Sequence, residues 1–116
     1  MQLITAIIQP TKLAAVREAL AKVGVEHLTA CDAQGYGRQR GQPNTYRGNE
    51  YRTNLLRKIE LQIIVNNDFV DRTIETISRV ARSGTQGNFG DGKILVMPVD
   101  DAIRIVDLAR GPEAVS

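Results

Sequence analysis

Apolar positions recur along this chain with two periods, and the switches between them lay out its elements. Leu3, Ile4, Ile7 and Ile8 form a β-branched run that predicts a strand over Gln2–Gln9, ended by Pro10. Leu13, Val16, Leu20 and Val23 then keep helical spacing on one face, with Thr11 as the expected N-cap and Gly24 as the stop. A weaker strand is expected over His27–Gln34. The clearest strand runs over Leu56–Val65, where Ile59, Leu61, Ile63 and Val65 alternate with Lys58, Glu60, Gln62 and Ile64. Helical spacing returns at Val70, Ile74, Ile77 and Ala81, with Asn67 or Asp68 as the cap and Arg72, Arg79 and Arg82 on the other side. A fourth strand is expected over Lys93–Pro98, a short helical turn over Asp100–Val106, and a frayed tail that includes Gly111, Pro112 and Ser116.

The order strand, helix, strand, long loop, strand, helix, loop, strand is that of a ferredoxin-like β-α-β-β-α-β fold of the α+β class. Both helices then cover one face of an antiparallel sheet. Leu3, Ile7, Ile64, Leu95 and Met97 supply apolar side chains for the other face, so a homo-oligomer packed sheet to sheet is expected. The 116 residues suit one domain, 1–116.

Composition narrows the chemistry. No apolar run approaches the roughly 20 residues of a membrane span, and Met1–Ile8 lacks the basic flank of a signal peptide. The single cysteine, Cys31, fits a reducing cytoplasm and excludes an internal disulfide; it reads as a small packed residue. His27 reads as a surface or edge residue, and with one His and one Cys a zinc cluster within one chain is excluded. Net charge is only +2, yet Arg38, Arg40, Arg47, Arg52, Arg57 and Lys58 face one acid, Glu50, between Tyr36 and Lys58. Such an excess fits a solvated loop, a phosphate-bearing ligand or an acidic partner. No nucleic-acid-binding motif accompanies it.

Two stretches stand out. Gly35–Asn54 is about twenty residues without apolar period, rich in glycine and holding all three tyrosines, Tyr36, Tyr46 and Tyr51; a loop of that length is usually functional or disordered. Tyr46 and Tyr51 sit among charged and glycine residues and are expected to be exposed. Gly84–Lys93 carries four glycines in nine residues, closed by a lysine. Backbone amides in such a turn can cradle an anion. Gly87–Lys93 spells G-x-x-x-x-G-K, but Ile94 stands where a magnesium-binding hydroxyl would be needed, and the loop leads from a helix into a strand. The NTPase reading fails; phosphate contact and a plain helix-to-strand connection both remain.

Several motifs in register resemble the P-II nitrogen-regulatory signal-transduction proteins. Gly35-Tyr36-Gly37-Arg38-Gln39-Arg40-Gly41 is similar to G-[FY]-G-R-Q-K-G. Tyr46-Arg47-Gly48-Asn49-Glu50-Tyr51 is similar to Y-R-G-x-E-Y, and Gly90-Asp91-Gly92-Lys93-Ile94 to G-D-G-K-I. The likeness runs over nearly the whole chain. It implies a cytoplasmic homotrimer, not an enzyme, with ATP and ADP competing for clefts between subunits and 2-oxoglutarate binding beside Mg-ATP. A mobile loop, about 37–55, would dock on an ammonium transporter, a nitrogen-assimilation enzyme or a nucleotidyltransferase.

The resemblance also assigns residues. Thr29 and Ile64 fall near the adenine, and Gly37, Arg38 and Gln39 at the loop base against the nucleotide. Gln39 would help ligate Mg²⁺, and both Gln39 and Lys58 would hold 2-oxoglutarate, Lys58 at its distal carboxylate. Gly90, Asp91, Gly92 and Lys93 match the phosphate loop within a glycine-rich segment over 83–93. Arg104 matches an arginine that a neighbouring subunit lends to the phosphates. Tyr51 matches a tyrosine that some members uridylylate or adenylylate. Three departures accompany these matches. The glycine loop is three residues longer than the family's T-G-K-I-G-D-G-K and lacks its first lysine; Val106 and Asp107 follow Arg104 where a second arginine is usual; and Gln62 replaces a glutamate. Weaker ATP preference over ADP is therefore expected. The alternative is a divergent sensor of ADP, AMP or another small anion with no 2-oxoglutarate response.

Overall fold

The computed structural model describes residues 1–36 and 55–116. Its elements are β1 (Gln2–Ile8), α1 (Leu13–Lys22), β2 (Thr29–Tyr36), β3 (Leu55–Val65), α2 (Val70–Ala81), β4 (Gly92–Pro98) and a one-turn α3 (Pro112–Val115). The sheet order is β2-β3-β1-β4, all pairs antiparallel. That is the ferredoxin-like arrangement expected from the order of elements.

The sheet's two faces follow from the side-chain period of two. Ile4, Ala6 and Ile8 of β1 and Ile59, Leu61, Ile63 and Val65 of β3 are buried with Val16 and Leu20 of α1 and Ile77 and Ala81 of α2. Truncating one such side chain, Leu61→Ala for instance, costs about 2–5 kcal/mol. Among the described residues nothing covers the opposite face. Leu3 lies between Ile64 and Met97, and Thr5 between Gln62 and Leu95. Ile64, Leu95 and Met97 remain 41–47% exposed. All five apolar residues assigned to this face from the sequence do lie on it.

Several local expectations are corrected. Thr11, Asn67 and Asp68 cap nothing. Each helix is entered through a 3₁₀ turn, Pro10–Lys12 or Asn67–Phe69, with no side-chain cap. Backbone bonds, Lys12 N–H to Gln9 O and Phe69 N–H to Asn66 O, both 2.9 Å, close those turns. Asn67 instead accepts from the chain's own amino terminus at 3.0 Å. On α2 the buried residues are Thr73, Thr76, Ile77 and Ala81, with Val70 and Ile74 partly buried. The Thr73 hydroxyl donates to Phe69 O at 2.7 Å, so its burial strands no donor. The second strand begins at Thr29 rather than His27, because its register is fixed by β3. Cys31 is exposed, opposite Glu60 on the uncovered face, not packed.

Asp100–Val106 is not helical, and the tail is tied rather than frayed. Ile103 pairs with Arg110, Arg104 N–H donates to Ala109 O at 2.9 Å and Gly111 N–H to Ala102 O at 3.0 Å. Leu108 takes φ 60°, the one positive φ among the described non-glycine residues. Arg110 also pairs with Asp101 at 2.6 Å.

Candidate functional site

The glycine loop starts where α2 ends, and its shape is set by one carboxylate. Asp91 accepts from the Ser83 hydroxyl at 2.6 Å and from the backbone N–H groups of Ser83 and Asn88, both at 2.8 Å. Asn88 in turn accepts from Gly90 N–H at 2.8 Å, completing a reciprocal cap over the turn Phe89–Asp91. Burial pushes the Asp91 carboxyl upward, but the Ser83 and Asn88 donors outweigh it and hold the group below its ordinary range. The chain's own carboxylate already takes up these donors of the loop. Asp91 therefore acts as the loop's organiser, and its negative charge opposes any phosphate brought beside it.

Gly90 sits at the meeting point. Its carbonyl accepts from Lys58 Nζ at 2.7 Å and Gln9 Nε2 at 2.8 Å. β3 and the residue that follows β1 thus both grip the loop. Gly92, φ 121°, passes so close to β1 that any Cβ would lie 1.7 Å from Ile7 O. Lys93 follows, opposite Ile7 on the uncovered face and exposed. Beneath the loop runs a groove of about 650 Å³, with Ile7, Ile74 and Ile77 among its apolar walls and Arg82, Asn88 and Lys93 among its polar ones.

The remaining described site residues lie towards the opposite end of the sheet. Ile64 pairs with Leu3, and Thr29 with Gln62. Ile64 lies six residue steps from Lys58 along β3, roughly 20 Å at strand rise. Arg104 lies farther along, in the turn that follows β4, a turn anchored to the end of β1 by Val99 N–H to Met1 O. Its guanidinium is engaged: Nε and Nη2 donate to Asp107 at 3.0 and 2.8 Å, and Nη1 donates to Glu113 O at 3.3 Å. The hydrogen bonds from Arg104 hold the Asp107 carboxyl down at about 2. Val106 is 84% exposed. A second cavity of about 280 Å³, lined by His27, Ile64 and Asn66 among others, lies at this end.

One chain thus brings together Lys58, Gly90, Asp91, Gly92 and Lys93, and separately places Thr29, Ile64 and Arg104. Gly37, Arg38, Gln39 and Tyr51, with most of the expected docking loop, lie outside the described residues. Among the described residues no three His, Cys, Asp or Glu side chains gather as a metal site, and no helix is long and apolar enough to cross a membrane. Sequence reasoning missed Gln9, Ser83, Asn88 and the role of Asp107. Asn88-x-x-Asp91 has capping-box spacing, and Arg104 and Asp107 are opposite charges three residues apart; Gln9 carried no signal.

Residues 1–107 match the family described as "Nitrogen regulatory protein P-II". The chain is 45% identical to the nitrogen regulatory protein P-II of Rhizobium etli over 90% of this chain and 91% of that one. It is 43% identical to the protein of that name from Bradyrhizobium diazoefficiens over 99% and 100%. With nitrogen regulatory protein P-II 1 of Escherichia coli it shares 47% identity over 90% and 91%.

Proposed function

Since the chain belongs to the P-II family of nitrogen regulatory proteins, we propose that it is a non-enzymatic, cytoplasmic integrator of nitrogen, carbon and energy signals. ATP or ADP would bind at clefts between the copies of a homotrimer, with Mg²⁺ and 2-oxoglutarate joining ATP. One observation carries this reading: the described site residues form two groups at opposite ends of one sheet. A single copy cannot bring them to one ligand; the glycine-loop end of one copy and the Thr29–Ile64–Arg104 end of its neighbour can. A head-to-tail contact of that kind closes into a ring when its rotation allows. The uncovered apolar face supports such assembly, since Leu3, Ile64, Leu95 and Met97 would be removed from water by it.

In that cleft Lys93 and the loop amides would meet phosphate, and Arg104 would arrive from the neighbour. Mg²⁺, when bound, would screen the phosphate charge, with Gln39 as a protein ligand. Lys58 would exchange the Gly90 carbonyl for the distal carboxylate of 2-oxoglutarate, gaining a charge-assisted bond. Because Lys58 and the phosphate loop share that carbonyl, the two ligands would sense one another. The loop about 37–55 would then carry the readout to an ammonium transporter, a nitrogen-assimilation enzyme or a nucleotidyltransferase, with Tyr51 available for nucleotidylylation. Ligands with different affinities for its conformations would shift which one a partner meets.

A second reading, a sensor of ADP, AMP or another small anion without a 2-oxoglutarate response, is favoured by the engaged Arg104, by Val106 and by the longer loop. Calorimetry with ATP, ADP and AMP, each with and without Mg²⁺ and 2-oxoglutarate, separates the two. Saturable 2-oxoglutarate binding only with Mg-ATP supports the first; nucleotide binding indifferent to 2-oxoglutarate supports the second. No nucleotide binding at millimolar concentration contradicts both.

A further inference from the structure

Arg104, the cation that the reading above brings to a neighbouring cleft, is already paired within the C-terminal turn. Asp107 meets it as a two-pronged fork, Nε to Oδ1 and Nη2 to Oδ2. The carboxylate is itself held in place, because Oδ1 also accepts from Ala109 N–H at 3.1 Å. The backbone closes the same turn through Leu108 N–H to Arg104 O at 2.7 Å. No second arginine shares the load, since Val106 occupies that position. We infer that Asp107 sets the affinity of the cleft for polyphosphate, as an internal counter-anion that competes with the ligand for the Arg104 guanidinium. The inference rests on the nucleotide reading above and adds to it a residue that works against binding.

An exposed fork of this kind is worth a modest factor. The Arg104 and Asp107 side chains are 38% and 49% exposed, which places the pair near the upper end of surface ion pairs, roughly a three- to fivefold effect on an equilibrium. The test is titration of ADP and ATP into wild type, Asp107→Asn and Glu113→Gln. Asn keeps an oxygen for Ala109 N–H and removes the charge. Glu113 contributes field at Arg104, but Arg104 bonds only its backbone carbonyl, so Gln there removes a nearby charge and leaves the fork intact. The expected result is binding roughly three- to fivefold tighter in Asp107→Asn and little change in Glu113→Gln. A second readout is the Arg104 Nε–H resonance of the wild-type protein, which should move on saturation with ADP as the fork opens.

Unchanged or weaker binding in Asp107→Asn overturns the inference, as does equal tightening in Glu113→Gln or a fixed Arg104 resonance. If neither wild type nor Asp107→Asn binds nucleotide, the functional reading fails and this inference with it. Binding without tightening removes the inference alone.

Discussion

Gly92→Ala tests how the phosphate loop is attached to the sheet. Gly92 ends the Phe89–Asp91 turn and opens β4 with φ 121° and ψ −164°, a region that side chains disfavour. An added Cβ would meet Ile7 O at 1.7 Å, Ile7 C at 2.8 Å and Ile8 Cα at 3.3 Å. These are backbone atoms of the paired strand and cannot swing aside as a flexible side chain would. Relief requires β4 to part from β1 by more than an ångström where Gly92 faces Ile8 and Lys93 faces Ile7. Backbone strain of about 1–3 kcal/mol adds to one or two ladder hydrogen bonds at about 0.5–1.5 kcal/mol each. The sum is about 1.5–6 kcal/mol, a large part of a small domain's stability. Gly84→Ala is the comparison: φ is 64° but nothing lies within 4 Å, so only the left-handed conformation, about 1–2 kcal/mol, is at stake. Urea unfolding at one fixed protein concentration, which keeps any oligomer contribution constant, reads both. Gly92→Ala within about 0.5 kcal/mol of wild type, or no worse than Gly84→Ala, would refute the close approach.

Three further outcomes follow from the same geometry. Asp91, Asp101 and Asp107 all have carboxyls held below 3.8 in the folded chain; their contribution to stability is complete above that value and is lost as pH falls through the folded pKa, for Asp107 towards about 2. Acid unfolding followed by circular dichroism should therefore be less steep between those limits in Asp107→Asn, with Asp91 and Asp101 still contributing, and an unchanged profile would contradict the fork. Lys58→Ala should abolish 2-oxoglutarate binding while ADP binding persists, because Gln9 still holds Gly90; calorimetric retention of 2-oxoglutarate binding would remove Lys58 from that role. Val106→Arg should tighten ATP more than ADP, by roughly tenfold or more for one charge-assisted contact worth about 1.5–3 kcal/mol, and equal tightening of both would show that this position does not face the terminal phosphate.

What was legible in the sequence depended on whether a pattern was local. Ile59, Leu61, Ile63 and Val65 alternate because one face of β3 meets the helices and the other does not, so strand and face could both be read. The edge strand β2 has no such contrast. Its bounds depend on pairing with β3, and the expected start at His27 was two residues early. Caps at Thr11 and Asn67 looked natural by residue type, yet a backbone-closed 3₁₀ turn supplies the entry to each helix. Thr73 looked polar, but its own helix satisfies the hydroxyl. For the site, Lys58 and Gly90–Lys93 were assigned from motifs and do lie together. Their distance from Thr29, Ile64 and Arg104 is a product of strand register, which no spacing in the sequence displays. The Arg104–Asp107 fork was visible only as two opposite charges, read as a burden on ATP rather than as a bond.

The central claim is that two copies complete each ligand site, and mixed oligomers test it most directly. Lys93→Ala impairs the loop half and Arg104→Ala the neighbour's half, so each variant alone should bind ADP weakly at every cleft. Refolded together in equal amounts, they should recover wild-type affinity at roughly a quarter of the clefts, those pairing an intact loop with an intact arginine from the next copy. Calorimetry showing no recovered high-affinity sites in oligomers proven to contain both variants would contradict the account.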